Sequence, residues 1–304
     1  MEIQQQTLKH SVKFSGIGLH SGKKITGILH PAPEDSGILF QIKNRDSNST
    51  AIPARFRNIG GLSYNTGLQS NGVSVLTVEH LLSALNGLQI DNAIVELNNG
   101  EVPVMDGSAA PFVYLLSEAG IVQQKLPRRV MRLVSNLRVE RDGAWIEAEP
   151  SDSDRLEIEY SIDFNHPVIG KMQCSYVNDP VVYCRAIAPA RTFGFLKEVE
   201  YLRSKGLIKG ASLKNAVVLD DQRIISGSLR FPDEFVRHKI LDFWGDIVLL
   251  GRPLIAKIKA HRAGHKLHAM LVEQLLKTPG ILEPALEKTP HRIFNLVPKL
   301  SCSS

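Results

Sequence analysis

The sequence predicts an α+β fold of two similar domains, each a β-sheet covered by two helices. Three observations carry this. A length of 304 residues corresponds to about two ordinary domains. A composition of 43% hydrophobic and 22% charged residues is enough to bury a core in each. One order of elements also occurs twice: helix 78–87, strand 92–97 and helix 109–119 in the first half, then helix 233–249, strand 254–259 and helix 266–276 in the second.

The elements follow from local chemistry. Residues 7–30 alternate in strand fashion around Gly16-Ile17-Gly18-Leu19-His20-Ser21-Gly22, with Ser21-Gly22 as a hairpin turn. A phosphate-binding loop is excluded there, because no GxxxxGKS pattern and no helix start follow. Residues 31–70 are rich in Pro, Gly, Asn and Ser and read as loops with minor strands. In helix 78–87, Thr77 is the expected N-cap, Glu79 favours the first turn and Gly87 is the expected stop. Asp91 to Leu97 is an Ile/Val-rich strand, and Ser108 caps the helix that ends at Gly120. The basic, Pro-containing residues 121–130 read as a connector. They divide the chain into domains 1–125 and 126–304, the second carrying a βαβ insertion near 193–219. Helix 233–249 begins after Pro232, has two acids in its first turn and stops at Gly251; its Leu241, Trp244 and Val248 form an apolar stripe for the core.

That last helix carries the chemistry. His238, Asp242 and Asp246 fall at i, i+4 and i+8 and therefore share one face. Two readings fit this spacing: an exposed ion pair on a solvated helix, or an imidazole and a carboxylate one turn apart that hold a divalent cation. If the halves are copies, helix 78–87 is the counterpart of helix 233–249. His80 then meets His238 and Asp242 between the domains, and two histidines with one carboxylate leave a metal position open. Glu79 points ~100° away from His80 on its helix, which lets a carboxylate base reach water at that position.

Composition narrows the class. The first residues lack the apolar run of a secretory leader, and no stretch reaches the ~18–20 apolar residues of a membrane span. Cys174, Cys184 and Cys302 are an odd number at no metal spacing, as in a reducing cytoplasm. A net charge of +5 suits an anionic substrate such as a nucleotide.

Gly16–Lys24 (GIGLHSGKK), Thr77–Leu81 (TVEHL), Val102–Leu116 (VPVMDGSAAPFVYLL), Ile162–Pro167 (IDFNHP), Ala190–Phe195 (ARTFGF) and Asp233–Asp246 (DEFVRHKILDFWGD), followed by Ala263-Gly264-His265, together resemble the UDP-3-O-acyl-N-acetylglucosamine deacetylases. These are zinc enzymes of lipid A synthesis. The resemblance implies helices packed between the two sheets, in the ribosomal protein S5 domain 2-like arrangement. It implies zinc ligands His80, His238 and Asp242, with Fe²⁺ as an alternative ion. Glu79 would be the general base, Thr192 would help hold the oxyanion, His265 would be the cation that protonates the leaving amine, and Asp246 would orient His265. Lys239, Phe193, Gly194 and His20 would lie at the substrate. Leu196, Val199, Leu202 and Leu207 would line a passage for its acyl chain, where enclosing each methylene is worth ~0.8 kcal/mol. The implied protein is a cytoplasmic monomer that acts on a UDP-linked acylated amino sugar, binds no nucleic acid and inserts in no membrane. His261 is read as a bystander, although His261 and His265 are spaced as a second metal pair.

Other classes fit less well. A non-haem iron oxygenase shares the two-histidine, one-carboxylate set but builds it on a β-barrel. A metalloprotease needs HExxH or HxxEH, and Leu76 breaks that pattern. A non-catalytic α+β module that grips nucleic acid through basic residues has no need of Glu79, His80, His238, Asp242 and His265 together.

Overall fold

The computed structural model describes residues 3–43 and 50–285. Within them one five-strand motif occurs twice. The first copy is β1 (Val12–Ile17), β2 (Lys24–Pro31), β3 (Ile38–Ile42), β4 (Ala51–Pro53) and β5 (Ala93–Leu97), in the spatial order β1-β2-β5-β3-β4. The second is β6 (Leu137–Arg141), β7 (Ala144–Glu149), β8 (Leu156–Asp163), β9 (Lys171–Val177) and β10 (Leu254–His261), in the order β6-β7-β10-β8-β9. In each copy the last strand runs parallel to the third and antiparallel to the second. The repeat expected from element order is therefore present in strand order and direction as well.

Each sheet carries its helices on one face. In the first copy these are α1 (Glu79–Gly87) and α2 (Ala110–Ala119). The second has α4 (Glu234–Asp246) and α5 (His265–Lys277), after a short α3 (Leu196–Ser204). α2 rests on β1 and α1, α5 rests on β6 and β7, and α4 packs on β8, β9 and α1. The helices thus form the inner layers between the sheets, as an amphipathic strand face and a helix stripe require. Phe235, Leu241, Phe243 and Trp244 of α4 and Leu81, Leu82 and Leu85 of α1 are fully buried there.

Both copies are interrupted at the same point, after the fourth strand and before the first helix. The first interruption holds a small sheet of Ile59–Gly61, Gly67–Ser70 and Val73–Val75. The second holds strand Phe193–Phe195, α3 and strand Val217–Leu219, with the two strands parallel. These interruptions flank the α1–α4 contact.

Local expectations need three corrections and one refinement. Residues 31–70 contribute β3 and β4 to the main sheet, because their apolar positions pair with a strand fifty residues away. Ile121–Pro127 is a strand, not an irregular connector; it pairs antiparallel with Gln4–Leu8. Thr77 does not cap α1: its φ is +59°, its buried hydroxyl has no partner, and Val78 occupies the N-cap position. Gly87 does end α1 as expected, though without a left-handed turn of its own. It lies against the Tyr183 ring, where a Cβ would come within 2.2 Å, and the turn to positive φ falls on Gln89. Cys302 lies outside the described residues, as does the tail from residue 286.

Candidate metal centre

The first turn of α1 meets the middle of α4, and three ligand-type side chains converge there. His238 Nε2 is 3.3 Å and His80 Nε2 is 3.7 Å from the same carboxylate oxygen, Asp242 Oδ1. One donor atom from each residue lies within 4.8 Å of the other two, and all three residues are buried. The imidazole rings meet edge to face with centroids 5.1 Å apart.

The surroundings hold these groups in ligand-ready states. His238 Nδ1–H donates to the Ala190 carbonyl at 3.0 Å, which leaves the Nε2 lone pair facing the cluster. Burial, with the neighbouring His238, lowers the His80 pKa to about 3, so the ring stays neutral. Burial opposes ionisation of Asp242, but the imidazoles and the Lys239 ammonium outweigh it and hold the carboxyl well below its usual range. The Lys239 Nζ donates to Asp242 Oδ2 at 2.7 Å, so Lys239 grips the oxygen that faces away from the imidazoles. Two neutral imidazoles and an ionised carboxylate, all desolvated, fit the donor set of a divalent transition-metal ion.

A second cluster adjoins the first. Asp246 accepts from three side chains: Thr66 Oγ1 at 2.6 Å, and the Nδ1 atoms of His265 and His268 at 2.7 Å each. Burial alone would lower the His265 pKa, but the carboxylates of Asp246, Asp242 and Glu79 outweigh it and raise it to about 9. Glu79 Oε2 accepts the Thr66 backbone N–H at 3.0 Å. Burial raises the Glu79 pKa to about 7, with nearby Asp246 and Asp242 adding to the effect against the pull of His265. A carboxylate that titrates near neutrality therefore faces a histidine that stays cationic.

The remaining sequence candidates are placed as follows. Thr192 follows the Arg191–Glu234 ion pair, in which buried Glu234 also accepts the Arg191 backbone N–H at 2.9 Å. Thr192 is anchored by its own N–H to Gly107 O. The Phe193 ring packs against Phe235, against the His238 ring and beneath Lys239 Nζ. Gly194 pairs with Val218. On and after α3, Leu202 is buried, Leu196 and Val199 are half-buried and Leu207 is exposed. His20 Nε2 accepts from Asn65 Nδ2 at 2.7 Å, which places it one residue from Thr66. His261 bonds Ser161 Oγ and stacks near Trp145, and it joins neither ligand cluster.

Sequence reading misses Thr66, His268 and Tyr160. The Tyr160 hydroxyl donates to Ala263 O at 2.8 Å and lies 3.1 Å from His268 Nε2, tying β8 to the α5 cluster. Thr66 sits 180 positions from Asp246 in the chain, within a short polar loop that carries no local signal. His268, one turn after His265, is the one with a legible spacing.

Comparison with known proteins shows the family. The family model for UDP-3-O-acyl N-acetylglycosamine deacetylase matches residues 5–277. A protein named UDP-3-O-acyl-N-acetylglucosamine deacetylase from Oleidesulfovibrio alaskensis is 50% identical over 268 residues, 88% of this chain and 87% of that one. One of the same name from Nitratidesulfovibrio vulgaris is 47% identical over 94% of this chain and 92% of its own. Another from Coxiella burnetii is 41% identical over 96% of each. By the family model and by these relatives, the chain belongs to the UDP-3-O-acyl N-acetylglycosamine deacetylase family.

Proposed function

We propose that this protein is a zinc-dependent amide hydrolase that removes the N-acetyl group from UDP-3-O-(3-hydroxyacyl)-N-acetylglucosamine, giving the free amine and acetate in lipid A synthesis. Family membership supports the reaction class. The observation that carries the site assignment is the convergence of His80, His238 and Asp242 next to a carboxylate that titrates near neutrality and a cationic histidine. His80, His238 and Asp242 hold the metal, a two-imidazole, one-carboxylate set that suits zinc and also accepts ferrous ion. When bound, such an ion supplies Lewis acidity, lowering the pKa of water and polarising the acetamide carbonyl.

Glu79 takes the proton of the attacking water. Its Oε2 accepts the Thr66 N–H, which orients the carboxylate. Attack on the carbonyl carbon converts it to a tetrahedral centre and places negative charge on its oxygen, toward which Thr192 donates. His265, held by Asp246 and Thr66, stabilises that charge and gives its proton to the nitrogen as the C–N bond breaks. Acetate and the free amine leave. Lys239 backs Asp242 while its charge faces the sugar nucleotide. Phe193 and Gly194 border the sugar, and His20 lies at its rim. Leu196, Val199, Leu202 and Leu207 of the insertion enclose the acyl chain. The catalytic halves come from two units, which we place at 1–125 and 126–304, and the protein acts as a monomer in the cytoplasm. No described helix is long and apolar enough to cross a membrane.

The test is acetate release from the UDP-linked substrate by purified protein, with and without a chelator. Chelator-sensitive release of one acetate per free amine is expected; no release, or release that chelation leaves unchanged, overturns the proposal.

A further inference from the structure

A cleft of about 230 Å³ opens at the C-terminal ends of α1 and α4. Its floor is apolar, with Leu85, Ile90, Trp244, Ile247 and Leu254 among the lining residues. Its rim is cationic: Arg55, Arg128, Arg129 and Arg252, against the two acids Asp35 and Asp91. The acids are engaged. Asp91 pairs with Arg128 at 2.7 Å, and Asp35 pairs with Arg129 at 3.3 Å and accepts from Gln5.

Arg55 and Arg252 are left without a carboxylate partner among the described residues. Arg55 is half-buried and donates to the Gly251 carbonyl, which adds no negative charge. Burial, followed by the charges of Arg252 and Arg57, lowers its pKa, so uncompensated positive charge is concentrated at this spot.

We infer that this cleft binds a small amphiphilic anion, its alkyl body on Leu85, Ile90 and Ile247 and its carboxylate or phosphate head between Arg55 and Arg252. Guanidinium groups that lack an acid suit such a head, since they bind either oxyanion through paired N–H donors. The place is consequential. Asn86 Nδ2 of α1 donates to the Trp244 carbonyl of α4 at 2.8 Å, bridging the two helices that bring the metal donors together. An occupant of the cleft stabilises that helix pairing by binding the folded arrangement preferentially. The inference concerns a site apart from the proposed catalytic one and stands or falls independently of it.

The chain has two tryptophans, and only Trp244 lines the cleft. In a Trp145→Phe background the remaining indole therefore reports occupancy. Titration with hexyl phosphate and with hexanoate is expected to give a saturable fluorescence change, with the tighter of the two identifying the head group. Hexanol, the neutral counterpart, is expected to give none in the same range. Arg252→Gln and Arg252→Glu, at an exposed position, are expected to weaken binding by about tenfold or more while acetate release stays at the parental rate. The absence of a saturable change with both anions overturns the inference, as does equal binding of hexanol or affinity that survives both Arg252 substitutions.

Discussion

Gly245 of α4 lies against the backbone of Glu79 in α1, so close that a Cβ built on it would stand 2.1 Å from the Glu79 carbonyl oxygen. The helices can cross at this distance only because position 245 has no side chain. The crossing is what carries His80 to His238 and Asp242, each of which lies within two turns of Gly245 on one helix or the other. Gly245→Ala is expected to lower stability by ~1–3 kcal/mol as the helices separate, and to reduce bound metal in step. Denaturant unfolding and metal analysis check this; unchanged stability with full metal content would show that the crossing tolerates the methyl group.

Much of this was legible in sequence because it is local. The i, i+4, i+8 spacing of His238, Asp242 and Asp246 follows from helix geometry alone, and it brings His238 and Asp242 into one cluster while Asp246 serves the adjoining one. The element order of the two halves became an identical strand order. What escaped depends on chain segments that meet only after folding. Ile121–Pro127 looks like a basic connector until Gln4–Leu8 supplies its partner. Thr66 shows no signal because its value lies in contacts with Glu79, Asp246 and His265, made from a loop between two short strands. Glu234 reads as an acid favouring a helix start, whereas it is buried and clamps Arg191, the residue before Thr192.

Glu79→Ala is expected to keep stoichiometric metal and lose most turnover, since Glu79 adjoins the donor set without belonging to it. Parallel metal and rate measurements decide the point. An unchanged rate would remove Glu79 from the mechanism.

The pH dependence has a definite sign. A base works ionised, so kcat/KM should rise with pH through the Glu79 pKa, at or below about 7, a bound cation moving this limb downward. An acid works protonated, so the rate should fall as pH passes the His265 pKa, about 9. Asp246→Asn removes the nearest carboxylate, and the falling limb should move to lower pH. A limb that stays in place would separate Asp246 from the control of His265.

Thr66→Val deletes a hydroxyl that donates to Asp246 at 2.6 Å. Loss of a hydrogen bond to a charged group, worth ~1.5–3 kcal/mol, predicts a drop in kcat of about tenfold or more with metal content intact. Steady-state kinetics on the metal-loaded variant test it, and wild-type kcat would make the contact incidental.

The most direct test of the account is anomalous diffraction at the metal absorption edge from crystals of the purified protein. The expected result is one peak at coordination distance, about 2.0–2.2 Å, from His80 Nε2, His238 Nε2 and an Asp242 oxygen, lost in His238→Ala crystals. A peak held instead by Asp246, His265 and His268, or one that persists without His238, would contradict it.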